Sequence, residues 1–209
     1  MEKDFNEQDS LKIINEMITQ ARNNIQIGSA NSMIFCGYTI TAIAIINILL
    51  LHMLDKPYLS FWIWLITIPM TIVNHFVIHK RSTRSAIVHT PIDRIISKIW
   101  NGFTWSVITL LISIFCTTYI FDNWLFTIFI TPTILTLLGL AQFASGYASR
   151  FPPFIRGAYI FWAGSVLSVI FAYGIFKSQD IQFVILAICM VSGFIIPGHI
   201  LNRKAVKNV

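Results

Sequence analysis

The lysine and arginine residues of this chain are unevenly distributed among the gaps between its apolar segments. Six uncharged apolar segments divide the sequence, and thirteen of the fifteen Lys and Arg residues lie before the first segment, after the last, or in alternate gaps between segments. The other two, Lys56 and Lys177, lie in the remaining gaps. Since the cytoplasmic loops of membrane proteins carry an excess of Lys and Arg, this pattern predicts a membrane protein with both termini in the cytoplasm.

Each apolar segment is long enough to cross a bilayer as a helix, which takes about 20 residues. Apolar residues make up 56% of the chain and charged residues 11%, whereas the helices of a soluble protein carry a charged face. The predicted fold class is therefore all-α, an integral membrane bundle of six transmembrane helices. The predicted spans are residues 33–53, 59–79, 99–121, 124–144, 157–176 and 181–201.

The amino-terminal 30 residues are predicted to form a cytoplasmic amphipathic helix and a joint. Apolar side chains recur there with the 3-4-3-4 spacing of one helix face, at Leu11, Ile14, Ile18, Ala21 and Ile25. Residues 9–27 are the predicted surface for a protein partner or for self-association. A flexible joint at 28–30 is expected to lead into the membrane domain, residues 31–202, which a cytoplasmic basic tail, residues 203–209, follows.

The six spans form three predicted hairpins, and the returning helix of each carries a proline: Pro69, Pro132 and Pro197. One interpretation is a triplicated hairpin. The other is that any alternating topology places basic residues after every second helix, with no repeat.

The second cytoplasmic loop contains a predicted surface helix at residues 90–98, where a proline stands near the start and apolar and basic residues alternate. The net charge of +6 is attributed to topology and to attraction toward anionic lipid headgroups. Nucleic acid is not a predicted partner, because the basic residues are dispersed among the loops.

Histidines near the predicted cytoplasmic ends suggest one function. His75 and His79 share a helix face next to Asn74, and His199 lies at similar depth on the sixth helix, as Cys36 does on the first. Imidazole and thiolate ligands suit a transition metal or haem iron, so a metal- or haem-binding protein is one hypothesis. The alternative is that these histidines sit at the headgroup boundary without a ligand; the sequence requires no cofactor.

The fourth helix suggests a second function. Pro132 interrupts its hydrogen bonds, and Gly139, Gln142, Ser145 and Gly146 are expected to loosen its inner half. Since broken helices line binding sites in transporters, a small-solute transporter or channel with Pro132 and Gln142 on its path is an alternative hypothesis. Polar and small residues also serve helix packing, which is the simpler explanation.

An enzyme is disfavoured. None of the six spans contains a carboxylate, and the motifs of zinc proteases, serine hydrolases and nucleotide-binding loops are missing from the sequence. The leading hypothesis is therefore a non-enzymatic regulatory, sensory or scaffold subunit.

Several stretches resemble a family of small integral membrane proteins from Bacteroidota. The stretches are residues 9–18, Ile68-Pro69, Gly157 with Phe161-Trp162-Ala163-Gly164, and residues 196–202. The resemblance covers most of the chain and implies the architecture and a location in the bacterial inner membrane. It implies no activity.

Overall fold

The computed structural model describes residues 7–74, 76 and 91–207, and these are helical apart from short connections. No strand occurs among these residues, so the predicted all-helical class is confirmed. In chain order the elements are α1 (Glu7–Met53), a 3-10 helix (Pro57–Ile66), α2 (Thr67–Val73), α3 (Pro91–Phe121), a 3-10 helix (Trp124–Phe129), α4 (Ile130–Ser149), α5 (Pro152–Val169), a π-helix (Ile170–Ile175), α6 (Asp180–Met190), a π-helix (Val191–Ile195) and α7 (Ile196–Lys207).

Five helical stretches of the described residues are long and apolar enough to cross a membrane. They correspond to predicted spans one, three, four, five and six, and they are Ala30–Met53, Arg94–Phe121, Leu125–Ser149, Pro152–Ile175 and Asp180–Arg203. The predicted second span, 59–79, is described as a shorter apolar helix, Leu59–Val73. Most of its remainder, including His75 and His79, lies outside the described residues.

Two predicted boundaries are wrong. Residues 28–30, expected to form a joint, lie inside the uninterrupted helix α1. A single glycine costs a helix interior only about 1 kcal/mol relative to alanine, and Ser29 and Ala30 are compatible with helix, so the flanking turns carry the helix through. The predicted surface helix at 90–98 is likewise the first part of α3, which continues without a break to Phe121.

The segment formed by α6, the following π-helix and α7 is the centre of the bundle. It packs mainly against α1 on one side and against α5 on the other. The first 3-10 helix packs on α1 and α4 packs on α5, and each also contacts the central segment directly. The helix α2 lies against the first 3-10 helix and α1, and α3 lies against α4. Half of the most apolar stretch of this segment is buried, against 6% for α3, so α3 is peripheral. Among the largest fully buried side chains are Phe161, Leu135 and Met190, from α5, α4 and α6.

The bundle has two distinct ends. Asn31 contacts Asn202 at one end, and His52 contacts Asp180 at the other. We call the first the basic end, because α3, α5 and α7 bring Arg94, Arg156 and Arg203 toward it, and the second the opposite end.

Three helix reversals depend on a non-glycine residue in the left-handed conformation. Asp122 ends α3 with φ 47°, Arg150 ends α4 with φ 52°, and Lys177 follows the first π-helix with φ 52°. At the Arg150 reversal the Phe151 N–H donates to the Gly146 carbonyl, 3.0 Å away, before α5 begins at Pro152. This tight turn holds α4 and α5 side by side over their lengths.

Candidate functional site

A buried glutamine joins α4 to the central segment. Gln142 is fully buried, and its Nε2 donates to the Gly193 carbonyl at 2.6 Å. Pro197 lies four residues after Gly193 and has no N–H, so it cannot make the usual helical hydrogen bond to that carbonyl. The Gln142 side chain gives the Gly193 carbonyl a donor that Pro197 cannot supply.

A second glutamine makes the reciprocal connection. Gln182 on α6 is buried, and its Nε2 donates to the Ile128 carbonyl at 3.1 Å. Ile128 lies four residues before Pro132, which is the same relation as Gly193 to Pro197. We call the Gln142–Gly193 and Gln182–Ile128 pairs the glutamine clasps. In each clasp one proline-containing helix supplies the side chain that satisfies the other.

Close backbone contact surrounds the first clasp. A Cβ atom added at Gly157 on α5 would lie 2.5 Å from Gln142 Nε2 and 2.8 Å from the Gly193 oxygen. One added at Gly193 would lie 2.7 Å from the Phe161 ring, and one added at Gly139 would lie 2.5 Å from the Trp162 ring. The inner half of α4 is therefore tightly packed, contrary to the predicted loosening at Gly139, Gln142, Ser145 and Gly146, because Gly139 and Gly146 let α5 approach closely and Gln142 and Ser145 are buried.

Hydroxyl groups add to the contact between α4 and α5. Ser165 Oγ donates to the Pro132 carbonyl at 2.7 Å and lies 2.9 Å from Thr136 Oγ1. Trp162 Nε1 donates to the Thr136 carbonyl at 3.2 Å. Pro132 thus lies at the start of α4, in a turn whose carbonyls are met by side chains of α5 and α6.

At the basic end, α1 contacts the residue that follows α2. Ser32 Oγ donates to Asn74 Oδ1 at 2.9 Å, and Asn74 Nδ2 donates to Cys36 Sγ at 3.2 Å. The structure therefore places Asn74 and Cys36, both noted from the sequence, in one polar cluster. Every hydrogen bond in it links two helices, which is a packing role.

His199 belongs to α7 and contacts α1 on a different face from this cluster. Its Nε2 is 3.3 Å from the Tyr38 hydroxyl, and its exposed ring meets the Tyr38 ring edge-on at 6.2 Å. His75 and His79 lie outside the described residues. Among those that are described, no three His, Cys, Asp or Glu side chains come together as a metal site.

At the opposite end, an ion pair closes α1 onto α6. His52 Nε2 lies 3.3 Å from Asp180 Oδ2, and its Nδ1 lies 2.9 Å from the Ile48 carbonyl. The His52 side chain is 66% exposed, so solvent screening leaves such a pair about 0–1 kcal/mol of stabilisation.

One buried polar residue stands apart. Asn47 on α1 is fully buried, and neither atom of its side-chain amide has a hydrogen-bond partner in the described part of the chain. In an apolar core an unsatisfied amide is destabilising. Asn47 therefore contrasts with the satisfied donor group of Gln142.

Sequence reasoning selected Gln142, Pro132, Asn74 and His199, but it missed Gln182 as the partner of the fourth helix and Tyr38 as the partner of His199. A signal for Gln182 existed: a proline inside an apolar helix leaves a free carbonyl four residues earlier, and a buried amide elsewhere is a candidate donor.

The fold and these contacts define a packed, all-helical bundle with five apolar helices of membrane-crossing length. Comparisons with protein-family models, with curated proteins and with solved structures give no match. The resemblance to a family of Bacteroidota membrane proteins therefore stays a prediction.

Proposed function

We propose that this chain is a six-span protein of the bacterial inner membrane, with both termini cytoplasmic, and that it acts as a non-enzymatic regulatory, sensory or scaffold subunit. The observation that carries the proposal is the continuity of α1, which runs for 47 residues from Glu7 to Met53. At helical rise it is about 70 Å long, more than twice the thickness of a bilayer core. About half of the helix, residues 7–29, therefore extends beyond its membrane-crossing stretch, Ala30–Met53.

A continuous helix couples the bundle to the amino-terminal arm mechanically. A shift or rotation of α1 among its neighbours moves residues 7–29 as part of the same rigid element, whereas a flexible joint would absorb the motion. The apolar face formed by Leu11, Ile14, Ile18, Ala21 and Ile25 lies on this arm. The arrangement suits a subunit that presents a helical surface to a protein partner or to a second copy.

The geometry of the second segment supports a sixth span. The 3-10 helix Pro57–Ile66 has 10 residues and, at about 2 Å of rise per residue, covers about 20 Å. The 7 residues of α2 add about 10 Å. Their sum is about 30 Å, the thickness of the hydrocarbon core, because 3-10 winding stretches a segment that looks too short as an α-helix.

Close packing supports a scaffold over a transporter. A solute path beside Pro132 and Gln142 would need a polar cavity, whereas Gln142 is fully buried and a Cβ at Gly157 would collide with it. Gln142 Nε2 and Ser165 Oγ are occupied in helix-to-helix hydrogen bonds, while Gln142 Oε1 is buried without a partner in the described residues.

Labelling of single cysteines tests the topology. In a variant without Cys36, Cys116 and Cys189, a membrane-impermeant maleimide applied to intact cells is expected to label both Asp55→Cys and Asp122→Cys. Arg150→Cys is expected to react only after lysis. If Leu59–Val73 did not cross, α3 alone would separate residues 55 and 122, and their cysteines would be labelled from opposite sides.

Photo-crosslinking tests the role of the arm. A photoreactive residue in place of Ile18, on the apolar face, is expected to give an intermolecular product in intact membranes. The matched control replaces Glu16, two residues away and on the far side of the helix. Insertion of Gly-Gly-Ser after Gly28, which interrupts α1, is expected to change the Ile18 product without unfolding the bundle. Absence of an intermolecular product at both positions would contradict the proposal.

A further inference from the structure

Two cationic side chains, Arg94 and Lys98, lie near the start of α3, at the basic end of a long exposed face of this helix. Arg94 and Lys98 are four residues apart, so their side chains lie one turn apart on the same face, and both are exposed. Together with Ile95 and Ile99 they line a shallow, open surface depression. In the described part of the chain neither cation has a salt-bridge partner.

The same face continues along α3 as an exposed stripe. Steps of three and four residues lead from Lys98 to Asn101, Trp105, Ile108, Ile112 and Phe115, and all of these are exposed. Trp105 is 65% exposed, Ile112 59% and Phe115 53%. From Asn101 to Ile112 the stripe covers about 16 Å, close to the thickness of one leaflet of the hydrocarbon core.

We propose that this face, the α3 lipid face (Arg94, Lys98, Asn101, Trp105, Ile108 and Ile112), binds an anionic phospholipid of the cytoplasmic leaflet. The Arg94 guanidinium and the Lys98 ammonium donate to the phosphate, since charge-assisted hydrogen bonds to phosphate are the strong ones. The Asn101 amide lies next along the face at the level of the glycerol, and one acyl chain lies on Trp105, Ile108 and Ile112. The inference rests on the proposed membrane topology.

The order of side chains along the face argues for a lipid as the occupant. A soluble anion would use the two cations and leave the apolar stripe unused, whereas a protein partner would not require both cations at the end nearest the headgroups. A phospholipid has the same order of groups, an anionic head followed by an apolar chain of about one leaflet. Gly102 adds space beside the face, because a Cβ there would meet nothing within 4 Å.

Quenching of tryptophan fluorescence by brominated lipids tests the proposal. The protein is reconstituted in vesicles of phosphatidylcholine containing a minor fraction of brominated phosphatidylglycerol, or the same fraction of brominated phosphatidylcholine. Wild type is expected to be quenched more by the anionic lipid. The Arg94→Gln and Lys98→Gln substitutions are each expected to weaken that preference roughly fivefold, and Trp105→Phe is expected to remove most of the preferential quenching.

A control with the same charge change separates a site from general surface charge. The double variant Arg150→Gln with Arg156→Gln removes two exposed cations elsewhere at the basic end and is expected to keep the preference. Equal loss in this control and in the matching double variant Arg94→Gln with Lys98→Gln, or equal quenching by the two lipids in wild type, would overturn the lipid face. Failure of membrane insertion would look different, because neither lipid would quench a chain outside the bilayer, whereas the number of spans is tested separately by the cysteine labelling.

Discussion

Alanine in place of Gly157 is expected to destabilise the bundle more than its size suggests. The added Cβ would lie 2.5 Å from Gln142 Nε2 and 2.8 Å from the Gly193 oxygen, so it would push on both members of the first glutamine clasp. The obstacle at Gly193 is a backbone carbonyl, which cannot rotate away. Overpacking of this kind costs about 1–3 kcal/mol, and it outweighs the gain of up to about 1 kcal/mol in helix propensity.

Gly102→Ala provides the matched control. Gly102 is also helical, but a Cβ there would meet nothing within 4 Å. Only the propensity term then applies, and stability is expected to rise by up to about 1 kcal/mol. The measurement is reversible unfolding in mixed detergent micelles, followed by circular dichroism. A neutral or stabilising Gly157→Ala would show that α5 does not pack against the central segment as the structure has it.

Methionine in place of Gln142 tests the first clasp directly. Methionine matches the length of glutamine, so the packing is kept while the donor to the Gly193 carbonyl is lost. The expected destabilisation is about 1–3 kcal/mol, above the average of about 0.6 kcal/mol found for polar contacts between membrane helices. The reason is that Pro197 cannot donate to this carbonyl, and that the carbonyl is buried together with its glutamine donor, so loss of the donor is not made good by water.

Asn47→Leu provides the contrast. Asn47 is as buried as Gln142, but neither atom of its amide has a partner in the described residues. Its replacement by an apolar side chain of similar size is expected to raise stability, because it removes an unsatisfied buried amide. Losses of similar size for Gln142→Met and Asn47→Leu would mean that burial of any amide, rather than the clasp, stabilises the bundle.

The glutamine clasps illustrate how far sequence reasoning reached. Pro132 and Pro197 identify Ile128 and Gly193 as carbonyls that cannot accept the α-helical hydrogen bond from the residue four positions later, and this follows from proline chemistry alone. The sequence offers several embedded amides as donors, among them Asn47, Gln142 and Gln182. Only two of these three meet a proline-freed carbonyl, because that depends on the depth and rotation of each helix.

The helix boundaries show the same limit. Five predicted spans correspond to apolar helices of membrane-crossing length, since hydropathy is a property of a segment. The predicted joint at 28–30 and the separate surface helix at 90–98 did not appear, because polar and small residues reduce hydrophobicity without ending a helix. Residue composition thus identified the apolar segments more accurately than the ends of the helices.

The sequence by itself determined which segments avoid water and how the cations are divided among the gaps, because the cost of placing charge in hydrocarbon depends on the side chain and not on its neighbours. The tertiary structure decided which side of each helix faces another helix. Lipid tails are as apolar as leucine, so hydropathy does not distinguish a helix that faces other helices from one that faces lipid. In the central segment half of the most apolar stretch is buried, whereas in α3 only 6% of that stretch is buried. That distinction comes from where small residues permit contact and where a buried amide meets a freed carbonyl.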